Sequence, residues 1–135
     1  MGEILVGTCS WTDKTLIESG QFYPTWAKSA EARLRYYASQ FPVVEVDSSY
    51  YALSSESNSR LWVERTGDDF IFDIKAFRLF TRHPTPLTAL PRDIREQLPP
   101  TDKGNLYHRD MPAELIDEVW RRFEDALLPL DSAGK

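Results

Sequence analysis

The chain has 135 residues, of which 41% are hydrophobic, and this composition predicts a single globular domain, residues 1–135, with an apolar core. Its 16 basic and 21 acidic residues leave a net charge of −5, the wrong sign for general affinity to a nucleic-acid backbone. A lone cysteine, no apolar run near the roughly 18 residues of a membrane span and no secretory signal predict a cytoplasmic protein without a membrane partner.

The first part of the chain predicts alternating strands and helices. Residues 4–8 form an apolar run that predicts a first strand buried on both faces, followed by an aromatic loop too irregular for a helix. Ser29 is expected to cap a helix that ends at Pro42. A second strand is expected over residues 43 to about 51, and serines after it offer caps for a helix that contains Leu61, Trp62 and Arg65.

The second part begins with a third strand over residues 70–75 and continues into a long insertion. Residues 78–109 contain five prolines and predict at most one short helix, near residues 91–98; loops of this length are usually functional lids or disordered. Asp110 is expected to cap a last amphipathic helix that ends at Pro129.

This order of elements predicts an α/β fold with parallel strands joined by right-handed crossovers. The expected architecture is a partial TIM-type (β/α) barrel, with about three parallel βα units and a long loop after strand three. A closed barrel needs roughly 250 residues, so the chain holds about half of one.

Strands two and three carry their charges on one side and their apolar residues on the other, because successive strand side chains point to opposite faces. The charged side holds Glu45, Asp47, Asp73 and Lys75, and the apolar side holds Val44, Val46, Phe72 and Ile74. A solvated face would explain this pattern, but the helical segments between the strands favour the inside of a barrel. There Glu45 or Asp73 should neutralise Lys75, because burying an unpaired ion is costly.

Several separated motifs resemble the YecE-like family, a domain of unknown function. They are Gly7-Thr8-Cys9-Ser10-Trp11, Gln21-Phe22-Tyr23-Pro24, Arg35-Tyr36-Tyr37-Ala38, residues 44–51, residues 70–76 and Thr81-Arg82-His83. The resemblance implies a TIM-barrel-like fold of which this chain is the N-terminal half, without the strands that would follow residue 135. Its members often have Ser-Gly at Cys9-Ser10, which speaks against catalysis by Cys9, and the family's activity is unassigned.

In barrels of this type the reacting groups lie at the carboxyl ends of the strands. The candidate catalytic residues are Glu45, Asp47, Lys75 and His83, and the candidate substrate-binding residues are Thr8, Trp11, Ser48, Tyr50 and Arg78. Lys75 would orient an anionic or carbonyl substrate, and Asp47 or Glu45 would act as a general base or a metal ligand. The alternative is a structural ion pair that fills the barrel.

Other patterns carry weaker hypotheses. No His or Cys pair has ligand spacing, so neither a metal nor another cofactor is predicted. Cys9 can be a nucleophile with His83 or His108 as base, but a small buried residue at a strand end is favoured. A basic stretch, residues 77–95, can clamp a phosphate or a single strand of nucleic acid, although its acidic residues favour a solvated surface.

Three functions follow from these patterns. The first is an enzyme-like site inside a barrel, acting on a small molecule by an unknown reaction and incomplete in this chain. The second is an inactive partial barrel that acts through self-association at its open edge or with a complementing chain. The third is weak binding of single-stranded nucleic acid or phosphate.

Overall fold

The computed structural model describes residues 2–135 and contains a three-stranded parallel sheet in the order β1-β2-β3. The strands are β1 (Gly7–Cys9), β2 (Val43–Val46) and β3 (Ile71–Ile74). The α/β class and the parallel pairing are therefore confirmed. Closure into a barrel stays a prediction.

The helices follow the strands as the sequence pattern indicates, with additional short ones. They are α1 (Lys14–Glu18), α2 (Ala30–Gln40), α3 (Ser48–Tyr51), α4 (Glu56–Glu64), α5 (Arg92–Glu96) and α6 (Ala113–Ser132). Ser29 caps α2 as predicted, because its Oγ accepts the Ala32 N–H at 3.0 Å. Ser55 caps α4 in the same way through the Asn58 N–H at 3.2 Å. The aromatic loop, expected to lack helix, contains α1.

One face of the sheet is covered by helices. Its buried residues Val44, Val46 and Phe72 lie in a cluster with side chains from α2, α4 and α6, namely Leu34, Tyr37, Trp62 and Leu130. The opposite face presents exposed Glu45 and Asp73. The predicted division into an apolar and a charged side of these two strands is thus seen directly.

The first strand is shorter than predicted. Ile4 and Val6 are 89% and 65% exposed, and pairing begins only at Gly7, opposite Val43. Because β2 itself starts at Val43, the residues before Gly7 have no neighbouring strand to bury them. Glycine is required at position 7, where β1 first pairs with β2, since a Cβ there would lie 2.0 Å from the Val43 carbonyl oxygen.

The second strand also ends earlier than predicted. It stops at Val46, and the residues expected to extend it form α3. The buried Ser49 hydroxyl explains this turn, because it lies 3.1 Å from the Val46 carbonyl oxygen and 2.5 Å from that of Lys75. Its side chain thereby holds the ends of β2 and β3 together.

The insertion after β3 is ordered and has its own core. It contains α5 and a short antiparallel pair, β4 (Thr85–Pro86) with β5 (Asn105–Leu106). Buried side chains of this segment and its flanks form one cluster with Leu115, Val119 and Phe123 of α6. They are Phe77, Leu79, Leu90, Ile94, Leu106 and Met111. The expectation of a disordered loop is therefore wrong for most of this segment, and a role as a lid stays a prediction.

Both ends of α6 differ from the prediction. Asp110 does not cap it; its Oδ2 accepts the Tyr107 N–H at 3.1 Å in a preceding 3₁₀ turn, and Pro112 occupies the cap position. Pro129 lies inside the helix, which continues to Ser132. The end is set instead by Gly134, whose φ is +71°. This conformation lets the Gly134 N–H donate to the Asp131 carbonyl oxygen and the Lys135 N–H to that of Leu130, as in a glycine C-cap.

No helix within residues 2–135 is both long and apolar enough to cross a bilayer.

Candidate functional site

The charged face of the sheet is organised around Glu45. The strand register places Cys9 and Asp73 on either side of it, on the face that the helices do not cover. Lys75, just beyond β3, brings its Nζ to 3.7 Å from Glu45 Oε1, so the predicted ion pair forms. The two side chains are 48% and 46% exposed, and a pair this open contributes about 0–1 kcal/mol.

Tyr50, on α3, is the centre of a second group of polar side chains. The Lys75 Nζ lies 5.5 Å from the centroid of its ring and the Arg78 guanidinium carbon 5.2 Å from it. The His83 ring meets the same tyrosine edge-on at 5.7 Å. Such cation–π contacts are worth about 0.5–1 kcal/mol each at exposed sites.

The backbone fixes this group in place. The Arg78 N–H donates to the Tyr50 carbonyl oxygen at 3.1 Å, and the His83 N–H donates to the Arg78 carbonyl oxygen at 3.0 Å. The His83 Nδ1 lies 2.7 Å from the Thr81 hydroxyl. Within the described part of the chain, the buried Nε of Arg78 has no hydrogen-bond partner. The cluster therefore contains a guanidinium whose donors are not all used by the protein.

Cys9 lies next to the ion pair but is not prepared for nucleophilic attack. It is exposed, contrary to the expectation of a buried residue, and its Sγ lies 3.4 Å from Glu45 Oε1. Partial desolvation of the sulfur, the bond to Glu45 and the nearby Asp47 raise the pKa of Cys9 to about 11. The thiol therefore stays protonated at neutral pH, and a thiolate is the form that attacks.

Two of the candidate substrate-binding residues, Thr8 and Trp11, lie on the helix-covered side of the sheet and apart from this cluster. Thr8 is paired with Val44 in the strand register, so the two side chains lie on the same, helix-covered face of the sheet. There the Thr8 N–H and hydroxyl hydrogen-bond to the Tyr37 hydroxyl. Trp11 packs edge-on against Trp62 in the same layer, with ring centroids 5.5 Å apart. Ser48 is exposed at the start of α3.

The structure thus brings together Glu45, Lys75, Tyr50, Arg78 and His83, and it places Asp47 near Cys9. Sequence reasoning missed the role of Ser49 in holding the two strand ends. Its position between the polar residues Ser48 and Tyr50, three residues after the end of β2, gave no signal that its side chain turns inward.

The surface around the cluster is open. A shallow pocket of about 270 Å³ lies beside Cys9 and is lined by Ser10 and Asp13 among others, whereas a pocket of about 490 Å³ lies elsewhere, between α4 and α6. Within residues 2–135, no three His, Cys, Asp or Glu side chains are grouped so that they could hold a metal ion.

A parallel three-stranded sheet with helices between its strands and on one face defines an α/β protein. Residues 5–135 match the family described as protein of unknown function DUF72, and the chain belongs to that family. The resemblance to YecE-like proteins is thereby confirmed.

One relative is the UPF0759 protein YunF of Bacillus subtilis (strain 168), 34% identical over 95 residues. The alignment covers 70% of this chain and 31% of that protein. The aligned part of the chain thus corresponds to about a third of the relative's length. No solved structure matches the chain.

Proposed function

We propose that the charged face of the sheet is a site for a small molecule that carries an anionic or carbonyl group. The observation that supports this most directly is the gathering of Lys75, Arg78 and His83 around Tyr50, with Glu45 paired to Lys75. Two cations beside one aromatic ring favour a negatively charged or polarised ligand.

The same residues divide into binding and proton-transfer roles. Lys75 and Arg78 orient the ligand. Lys75 Nζ lies 3.7 Å from its partner Glu45, and within residues 2–135 the Nε of Arg78 has no hydrogen-bond partner. Glu45 or Asp47 serves as the general base, and His83 as a further acid or base. The reaction class is proton transfer on the bound molecule.

We further propose that these three βα units belong to a TIM-type barrel. In that setting the charged face is the inner wall, and further strands would shield it from water. Shielding would strengthen every interaction in the cluster, because charges attract more strongly at lower dielectric.

Binding of pyruvate, which has both a carbonyl and a carboxylate, tests the site. Amide resonances around Tyr50 and Arg78 should shift on titration of the 135-residue chain with pyruvate, and Lys75→Met should weaken binding about tenfold. Lys103→Met, at an exposed lysine of the insertion, removes the same charge and should leave binding unchanged. Equal pyruvate binding by the wild type and Lys75→Met would contradict the proposal.

A second candidate function, self-association, is favoured by the edges of the sheet. β1 and β3 are the outer strands of the described sheet, and the exposed Ile4 and Val6 precede β1. Unpaired strand edges beside apolar side chains invite pairing with another chain. Sedimentation should then show a mass that rises with concentration and falls back in Val6→Lys. A stable monomer at high concentration argues against it.

A further inference from the structure

The insertion contains a pocket whose lining is basic and aromatic. About 260 Å³ in volume, it is lined by Arg82, Tyr107, His108 and Arg109. It shares no residue with the charged cluster around Tyr50, although Arg82 directly precedes His83 of that cluster. No lining residue is acidic, although the chain as a whole carries a net charge of −5.

The two guanidiniums of this pocket are not neutralised by the protein. Among the ion pairs of residues 2–135, Arg92 pairs with Glu96 and Arg122 with Asp93, whereas Arg82 and Arg109 pair with no carboxylate. Two like charges that share a pocket repel each other, and an anion between them removes this repulsion. Guanidinium groups bind phosphate through paired N–H donors with matching geometry.

The backbone around the pocket is fixed before any ligand arrives. Arg82 has a φ of +63°, in the left-handed region that non-glycine residues rarely adopt, and its N–H donates to the Leu79 carbonyl oxygen at 3.2 Å. On the other side, the Arg109 guanidinium carbon lies 5.2 Å from the Tyr107 ring centroid. The contact with Tyr107 restrains the Arg109 guanidinium, and a restrained donor loses less entropy on binding than a mobile one.

We propose that this pocket binds the phosphate group of a small phosphate monoester. Arg82 and Arg109 would hold the phosphate oxygens, His108 would donate a further hydrogen bond, and Tyr107 would contact the attached organic group. A small ligand is favoured over nucleic acid because a chain with this net charge repels a polyanion outside the pocket.

Titration calorimetry with inorganic phosphate and with phenyl phosphate tests the proposal on the full 135-residue chain. We expect both probes to bind, phenyl phosphate more tightly, and Arg82→Gln and Arg109→Gln each to weaken binding about tenfold. Arg95→Gln is the matched control, because Arg95 is exposed, forms no ion pair with any of residues 2–135 and does not line the pocket. It should bind both probes like the wild type.

Several outcomes would overturn the proposal. These are absence of binding by the wild type, equal binding by both pocket variants, or equal weakening in Arg95→Gln, which would mean general charge attraction. A thymidine oligonucleotide that binds more tightly than phenyl phosphate, with affinity that falls steeply with salt, would identify a nucleic-acid surface instead. Circular dichroism verifies that each variant is folded, and Arg109→Gln leaves the left-handed residue untouched.

Discussion

Replacing Tyr37 with phenylalanine should destabilise the fold substantially, although the change removes one oxygen atom. The Tyr37 side chain is fully buried, and its hydroxyl accepts the Thr8 N–H at 2.7 Å and donates to the Val43 carbonyl oxygen at 3.2 Å. It therefore joins β1 to β2 from the helix side. Without the oxygen, a backbone donor and a backbone acceptor lose this partner in a poorly hydrated place.

An unsatisfied buried polar group costs about 1–3 kcal/mol, and Thr8 is only half-buried, so water compensates in part. We expect Tyr37→Phe to lower the free energy of unfolding by about 2–4 kcal/mol. Urea denaturation followed by circular dichroism measures this as a lower midpoint with an unchanged m value.

Tyr36→Phe provides the control for that experiment. Tyr36 belongs to the same aromatic group through Phe22, at 5.3 Å between ring centroids, but within residues 2–135 its hydroxyl makes no hydrogen bond. Its variant should stay within about 0.5 kcal/mol of the wild type. If Tyr37→Phe is equally mild, the hydroxyl does not hold the strands together and this reasoning is refuted.

Three further predictions concern packing and pH. Gly7→Ala should cost about 3 kcal/mol or more in urea denaturation, since its Cβ would overlap the Val43 carbonyl; a loss below about 1 kcal/mol would contradict this. Ser59→Ala should cost about 1 kcal/mol, because the buried Ser59 hydroxyl donates to the Ala126 carbonyl at 2.6 Å; an unchanged urea midpoint would contradict this. Hydrogen bonds from two arginines lower the pKa of Glu118 from 4.5 to about 2. The contribution of Glu118 to stability should therefore be complete above pH 4.5 and be lost as the pH falls towards 2. Thermal midpoints measured across this range should fall, and in Glu118→Gln the midpoint should depend less on pH.

The parts of the fold set by local chemistry could be predicted from the sequence. The Ser29 cap depends on a hydroxyl one residue before the helix, and the charged and apolar parities of β2 and β3 follow from strand geometry alone. The ends of the strands could not be predicted, because they depend on register. Ile4 and Val6 are apolar enough for a strand, yet no neighbouring strand reaches them.

The candidate site divides in the same way. The rule that functional residues follow the strand ends selected Tyr50, Lys75 and Arg78, which the structure brings together. It also selected Thr8 and Trp11, which lie on the helix-covered side. The end of a strand says which edge of the sheet a residue occupies, but only the register with its neighbour says which face.

The distance between Lys75 and Glu45 does not by itself determine how strongly they attract each other. At 3.7 Å, the attraction of two unit charges is about 1 kcal/mol in water and about 4–5 kcal/mol at an effective dielectric constant of 20. Both side chains are about half exposed, so the present face is near the weaker limit. A ligand or a further segment of polypeptide that covers Tyr50 would strengthen the attraction within the pair severalfold, at the cost of removing both charges from water. The strength of the Lys75–Glu45 attraction therefore depends on what covers the two side chains, because their separation is already short.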